Sequence, residues 1–211
     1  RNLVECVRKI QRYGMIVSGG FIVGFDSDST SVFDAQTEFI KKTGIICAMV
    51  GLLNAPRGSR LYQRLLGEDR ILSNFSGDNA DYSMNFVPRM YFNALISGYR
   101  RIIRRIYAAK PYYQRIMEFL KEYKPARHWK AALSLNFLVM HYGYLAAFFK
   151  SIWVLGIKDR GRLHYWKLFF WALFRKPSLF TLAITYAVYG FHFRNVFRVC
   201  LESPSEKGKN R

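Results

Sequence analysis

Cysteine is scarce in this chain. There are three in 211 residues, Cys6, Cys47 and Cys200, and no two are close enough to make a C-x-x-C pair. An odd, scattered set excludes a disulfide framework and a cysteine-based zinc site, and it fits a reducing, cytoplasmic setting. Cys6 falls on a helical pattern and Cys47 in an apolar run, where a thiol serves as a small core residue. G-x-S-x-G, H-E-x-x-H and P-loop motifs are absent. The four histidines, His128, His141, His164 and His192, show no metal-ligand spacing. No catalytic constellation can be read, and no metal site is assigned. Long uncharged runs are rare as well. Ala131–Phe149 has 19 residues without a formal charge, but Ser134, Asn136, His141 and Gly143 interrupt it. A membrane span needs about 20 predominantly apolar residues, so this run reads as a buried helix or as a face resting on a membrane surface.

Acidic residues are missing from one part only. Residues 1–87 carry 10 Lys/Arg against 9 Asp/Glu, a balance of +1, whereas residues 88–211 carry 23 against 5, a balance of +18. A balanced segment followed by a basic, aromatic-rich one implies two domains with different tasks. The basic part suits nucleic acid, anionic lipid or plain solvation. The chain opens at Arg1 without a methionine and already at helical spacing (Leu3, Val4, Val7, Ile10), so a piece of a longer protein is expected.

Among the patterns present, Met15–Ser29 organises the first part. Ile16, Val17, Phe21, Ile22 and Val23 are β-branched or aromatic, as in a strand buried on both faces. Glycines 19, 20 and 24 bring backbone close to something, and Asp26-Ser27-Asp28-Ser29 closes the strand. A helix ends before it, at Gly14. Ser31-Val-Phe-Asp34 reads as a capping box for a helix through Lys42, ended by Gly44. Ile45–Leu53 is a second apolar strand, so helix and strand alternate as in a parallel βαβ sheet. A tight loop at Asn54–Ser59 and a helix from about Arg60 to Leu66 follow. From Met90 the pattern is helical, with Phe92, Leu95, Ile96, Tyr99, Ile102, Ile103 and Ile106 on one stripe. Further helices are expected at 112–122, 128–155, 160–175 and 177–200, broken at Gly156, Gly161 and Pro177.

Two sets of polar residues have more than one reading. Asp26, Asp28 and Asp34 fit helix N-terminal caps or a cation site. Arg100-Arg101 and Arg104-Arg105 fit a solvated face or a phosphate track. No RNA-recognition, zinc-finger or helix-turn-helix signature supports nucleic acid as a partner. Gly19-Gly20-x-x-x-Gly24 lies within a strand and is not a dinucleotide fingerprint.

Gly20-Phe-Ile22-Val-Gly24-Phe-Asp26 resembles the G-x-I-x-G strand of radical SAM enzymes. Pro56-Arg-Gly58-Ser59-Arg-Leu61-Tyr62, one helix and one strand later, resembles the P-x-G-[ST]-x-L-Y loop of the same family. Further on, Gly77-Asp-Asn79, Asn85-Phe-Val-Pro88-Arg-Met90, Gly98-Tyr-Arg-Arg101, Tyr112-Tyr113 and Tyr189-Gly-Phe-His192-Phe resemble the uncharacterised helical C-terminal domain of cobalamin-binding radical SAM proteins, hopanoid methylases among them. One departure is Ser27, where an acidic residue is often found.

The resemblance implies an α/β part followed by an all-α part. Residues 1–72 would carry the last βα units of a (β/α) partial TIM-type barrel, with a linker at 73–89. The basic, aromatic helical domain would span 90–202 and a disordered tail 203–211. It implies S-adenosylmethionine bound beside Gly20, Ile22, Gly24, Asn54 and Ala55. It also implies a 4Fe-4S cluster and cobalamin whose ligands lie in an N-terminal remainder, so that this stretch alone is not active. The implied activity starts with a 5′-deoxyadenosyl radical and transfers a methyl group to an unactivated carbon; the aromatic, basic second part points to a small, lipid-like or otherwise apolar substrate. The alternative is a basic helical module in which 90–202 binds an anionic membrane surface peripherally, or nucleic acid.

Overall fold

A computed structural model describes residues 2–72, 84–125 and 142–202. Residues 73–83 of the expected linker, the stretch 126–141 with His128 and His141, and the expected tail 203–211 lie outside them. Helix α1 (Leu3–Arg12) begins where the Asn2 side chain accepts the Glu5 N–H, and it stops at Gly14, which has φ 83°. Strand β1 (Gly19–Val23), helix α2 (Val32–Thr43) and strand β2 (Ala48–Leu52) make a βαβ unit with Gly44 in the left-handed conformation at its turn. The two strands are parallel, with Gly19 opposite Ala48 and Val23 opposite Leu52. Helix α3 (Arg60–Gly67) follows.

The strands were expected to be buried on both faces, but one face is open. Ile22 is 47% exposed and Met49 60%, while Val23, Ala48 and Val50 are in the core. The expected capping box at Ser31 does not form. Ser31 has helical backbone angles and its hydroxyl bonds to that of Ser29, so the backbone geometry a cap requires is missing.

The helical part packs directly against this unit. Helix α4 (Phe92–Tyr107) buries Leu95, Gly98, Tyr99, Ile102, Ile103 and Ile106. Of the expected stripe, Phe92 lies at the exposed end. At Gly98 the helix comes so close to α2 that an added methyl would sit 2.2 Å from the Phe33 ring. Helix α5 (Ala109–Glu122) follows, with Pro111 in its first turn, where the missing N–H costs nothing.

Helix α6 (Tyr142–Ser151) continues into a π-helical segment, Ile152–Lys158. The expected break at Gly156 therefore moves to Asp159–Gly161. Gly156 stays helical because its bare backbone receives Trp166, whose Nε1 donates to the Gly156 carbonyl at 2.9 Å. Helix α7 (Arg162–Arg175), a 3₁₀ turn (Pro177–Leu179) and helix α8 (Phe180–Glu202) complete the described chain. Breaks at Gly161 and Pro177 fall where the sequence puts them. One continuous core joins the two parts, running from Val23, Phe33 and Val50 through Tyr99 and Tyr112 to Leu168 and Tyr186.

Candidate functional site

In a parallel pair, the N–H and C=O of alternate residues point to opposite edges of each strand. Gly19 and Val23 bond to the β2 side, through Gly19 N–H to Cys47 O and Leu53 N–H to Val23 O. Gly20 and Ile22 therefore turn their backbone groups to the other edge of β1. The far edge of β2 is sealed instead. The Tyr107 hydroxyl donates to Ala48 O at 2.7 Å, and the Tyr99 hydroxyl to Val50 O at 3.2 Å. At the β1 edge, the Gln36 side chain donates to Ile22 O at 2.9 Å.

Gly20 is paired with Met49 and Ile22 with Gly51. A methyl built on Gly20 or on Gly51 meets nothing within 4 Å, and both take ordinary φ values. Neither glycine is required by the fold. What they leave is a strip of exposed backbone flanked by Ile22 and Met49, suited to the face of a planar, apolar ring.

Beyond the carboxyl ends of the strands, two loops are held rigidly. Gly24 has φ +105°, and the Asp28 carboxylate accepts the Gly24 and Phe25 N–H groups at 2.9 and 3.0 Å. A side chain at Gly24 would press on Met84 and Leu95, so this glycine serves the turn and the packing beneath it. In the second loop, Asn85 treats Ala55 as a neighbouring strand would. Its side chain accepts the Ala55 N–H at 2.9 Å and donates to the Ala55 carbonyl at 2.7 Å. Its own N–H donates to Asn54 Oδ1 at 3.1 Å. Ala55 is fully buried. In Pro56–Tyr62, Gly58 takes φ +83°, and Ser59 caps α3 by accepting the Tyr62 N–H.

Asp26 caps no helix, and its carboxylate is taken up by arginines. Arg70 grips it with two nitrogens at 2.6 and 3.0 Å, and Arg64 adds a third bond at 2.8 Å. Arg70 also reaches Glu68 and the Val87 carbonyl. The Arg70 hydrogen bonds, with the charges of Arg70, Arg64 and Arg89, hold the Asp26 carboxyl below the usual aspartate range despite its burial. Asp34 pairs with Arg105, tying α2 to α4. Arg101 lies over the Phe33 ring, so part of the arginine face supports the α2–α4 packing. Between the two loops, Phe25, Leu53, Leu61 and Phe86 line a cleft of about 320 Å³, with Asp26, Ser27 and Arg64 on its polar side.

Of the five positions expected to touch a cofactor, Gly20 and Ile22 lie on the open face. Gly24, Asn54 and Ala55 lie in the fixed loops at its carboxyl end. The Asp26–Arg64–Arg70 lock was missed in the sequence, because its members are separated by 38 and 44 residues. No group of three or more His, Cys, Asp or Glu among the described residues can hold a metal.

A profile for a domain of unknown function, DUF4070, matches residues 59–206. The chain belongs to the DUF4070 family. Over 194 residues it is 30% identical to an uncharacterized methyltransferase of Synechocystis sp. (strain ATCC 27184 / PCC 6803 / Kazusa), covering 91% of this chain and 35% of the relative. Over 180 residues it is 26% identical to the hopanoid C-2 methylase of Rhodopseudomonas palustris (strain TIE-1), covering 78% of this chain and 30% of that one. The chain thus spans about a third of the length of these curated relatives. No solved structure matches it significantly. The family resemblance drawn from the motifs is borne out. In this DUF4070 domain several of the quoted motif residues meet in space. Tyr112 lies in the notch at Gly190, where a methyl would come within 2.1 Å of its ring, and its hydroxyl donates to Tyr186 O. Asn85 holds the loop after β2, and Gly98 admits Phe33.

Proposed function

We propose that the protein is the C-terminal part of a cobalamin-type radical SAM methyltransferase, in which the open face of β1 and β2 is a wall of the S-adenosylmethionine site. The observation that carries this reading is the unfilled strip at Gly20, Ile22, Met49 and Gly51, on strands whose motifs resemble that family and in a chain whose relatives are named methyltransferase and methylase. The edges of the sheet support it. Tyrosines close β2, and the Gly20 and Ile22 backbone groups of β1 face outward, as in the last strands of a partial barrel whose other strands lie on the β1 side. On this reading residues 1–72 end the barrel, and 90–202 form the helical domain packed against it.

The described residues fit an adenosyl group and do not fit an iron–sulfur cluster. Cys6 and Cys47 are separate, half-buried thiols, and burial raises the Cys47 pKa, away from the thiolate form a cluster needs. We therefore assign the cluster and cobalamin ligands to sequence that the curated relatives have and this chain does not span. When bound, the cofactors supply radical initiation and the methyl group. This chain's own contribution is positional. Gly20 and Gly51 let a ring approach the backbone, Ile22 and Met49 give it apolar contact, and Asn85, Asp28 and Arg70 hold the adjoining loops still. The apolar lining of the cleft, from Phe25, Leu53, Leu61 and Phe86, suits an apolar substrate.

The test is anaerobic reconstitution of the full-length protein with iron, sulfide and cobalamin, followed by incubation with S-adenosylmethionine and a one-electron reductant. The expected result is 5′-deoxyadenosine in the product mixture. Formation of S-adenosylhomocysteine and a methylated product with no 5′-deoxyadenosine at all would replace this reading with an ordinary polar methyltransferase.

A further inference from the structure

We propose that the hairpin formed by α6, its π-helical continuation and α7 docks this protein on the surface of an anionic lipid bilayer. The hairpin is antiparallel, fastened by Trp166 on Gly156 and by Phe169 stacked on Phe148. Its inner side, with Leu155, Tyr165, Leu168 and Ala172, is buried in the core. Its outer side is not polar, as a solvated surface would be. Phe149 is 65% exposed, Trp153 54%, Ile157 49%, Phe170 49% and Phe174 76%. The first three recur every four residues along one arm. On the other arm, Trp166, Phe170 and Phe174 stack in a ladder. Isolated exposed apolar residues need no explanation, but repeated aromatic ones on a single hairpin do.

The charge around them identifies the occupant. Residues 142–176 contain seven Lys/Arg and a single acidic residue, Asp159. Asp159 is already engaged by Arg194 at 3.0 Å. Lys150, Lys158, Arg160, Arg162, Lys167 and Arg175 have no carboxylate partner among the described residues. Lys158 sits over the Trp153 ring, 5.4 Å from its centre. Exposed aromatic rings at headgroup depth with long cationic side chains beside them are what an interfacial, monotopic surface requires. Each cation near an anionic surface strengthens binding about fivefold. No described helix is long and apolar enough to cross a membrane, so the contact lies on the bilayer and does not span it. The inference rests on this face and stands apart from the proposed chemistry.

The test is co-sedimentation of the full chain with vesicles of phosphatidylcholine alone and of phosphatidylcholine with 30 mol% phosphatidylglycerol (roughly a typical anionic fraction). Binding is expected to the anionic vesicles only, and to weaken with salt. Trp153→Asp and Phe174→Asp, at exposed positions, should each lower the affinity about tenfold without changing the circular dichroism melt. Should either variant misfold, brominated lipid provides the check. It should quench tryptophan fluorescence in the wild type and quench it measurably less in Trp153→Phe. Four outcomes overturn the proposal: no binding to anionic vesicles, unchanged binding by both folded variants, quenching unaltered by Trp153→Phe, or binding of duplex DNA in place of vesicles.

Discussion

Asp26 occupies the turn that follows β1, yet it works on residues far along the chain. With 14% of its side chain exposed and three bonds to two arginines, it ties that turn to α3 and to the segment ending at Arg70. Asp26→Asn removes the charge and leaves Arg70 facing a neutral amide; the expected cost is about 2 kcal/mol in urea unfolding. The pH dependence has a definite sign. The folded-state pKa lies below the ordinary value, so the stabilisation is complete above that value and is lost as pH falls through the depressed one. Wild-type stability should therefore drop more steeply than that of Asp26→Asn below about pH 4.

The glycines divide in a way the sequence does not show. Gly98→Ala and Gly190→Ala push a methyl into Phe33 and Tyr112 at 2.2 and 2.1 Å, and each should lower stability by about 2–3 kcal/mol in the same assay. A methyl built on Gly20 meets nothing within 4 Å, and Gly20→Val should leave stability unchanged. All three are simply Gly in the sequence. Only the packing separates a glycine the fold needs from one it does not.

At the scale of elements, much of the chain was legible. Gly14, Gly44, Gly161 and Pro177 delimit helices where their backbone preferences put them, and the run of β-branched residues gave parallel strands. Two features of the βαβ unit were not legible, because each depends on partners distant in sequence. A run of apolar residues cannot say which face meets a helix, so the open side at Ile22 and Met49 was missed. The S-x-x-D pattern at Ser31 could not show that the helical angles there preclude a cap. The sealing of β2 by α4 yields a further expectation. Tyr107→Phe strands the Ala48 carbonyl and should cost about 1–2 kcal/mol, more than Tyr99→Phe, whose bond to Val50 is longer. Amide exchange across the β1–β2 ladder should rise accordingly, as measured by hydrogen–deuterium exchange.

For the whole molecule, the sequence divided the chain by charge, whereas the structure joins it by packing. Asn85 and Phe86 come from the stretch read as a linker, yet Asn85 is bonded to the loop after β2 and Phe86 is in the core. Composition registered the basic second part but not that its hairpin presents aromatics outward, since exposure is a property of the fold. These pieces fit a single arrangement. On the proposed reading, the open face of the α/β unit would form a nucleoside wall, and the basic helical part packed against it would bring the protein to a membrane surface.

The most direct test of that wall is the affinity of the full-length, reconstituted protein for S-adenosylmethionine, compared between wild type and Gly20→Val by equilibrium dialysis. The account predicts unchanged thermal stability and an affinity at least tenfold weaker, because the added side chain occupies only the space kept for the ligand. A Gly20→Val protein that folds equally well and binds S-adenosylmethionine with wild-type affinity would contradict it.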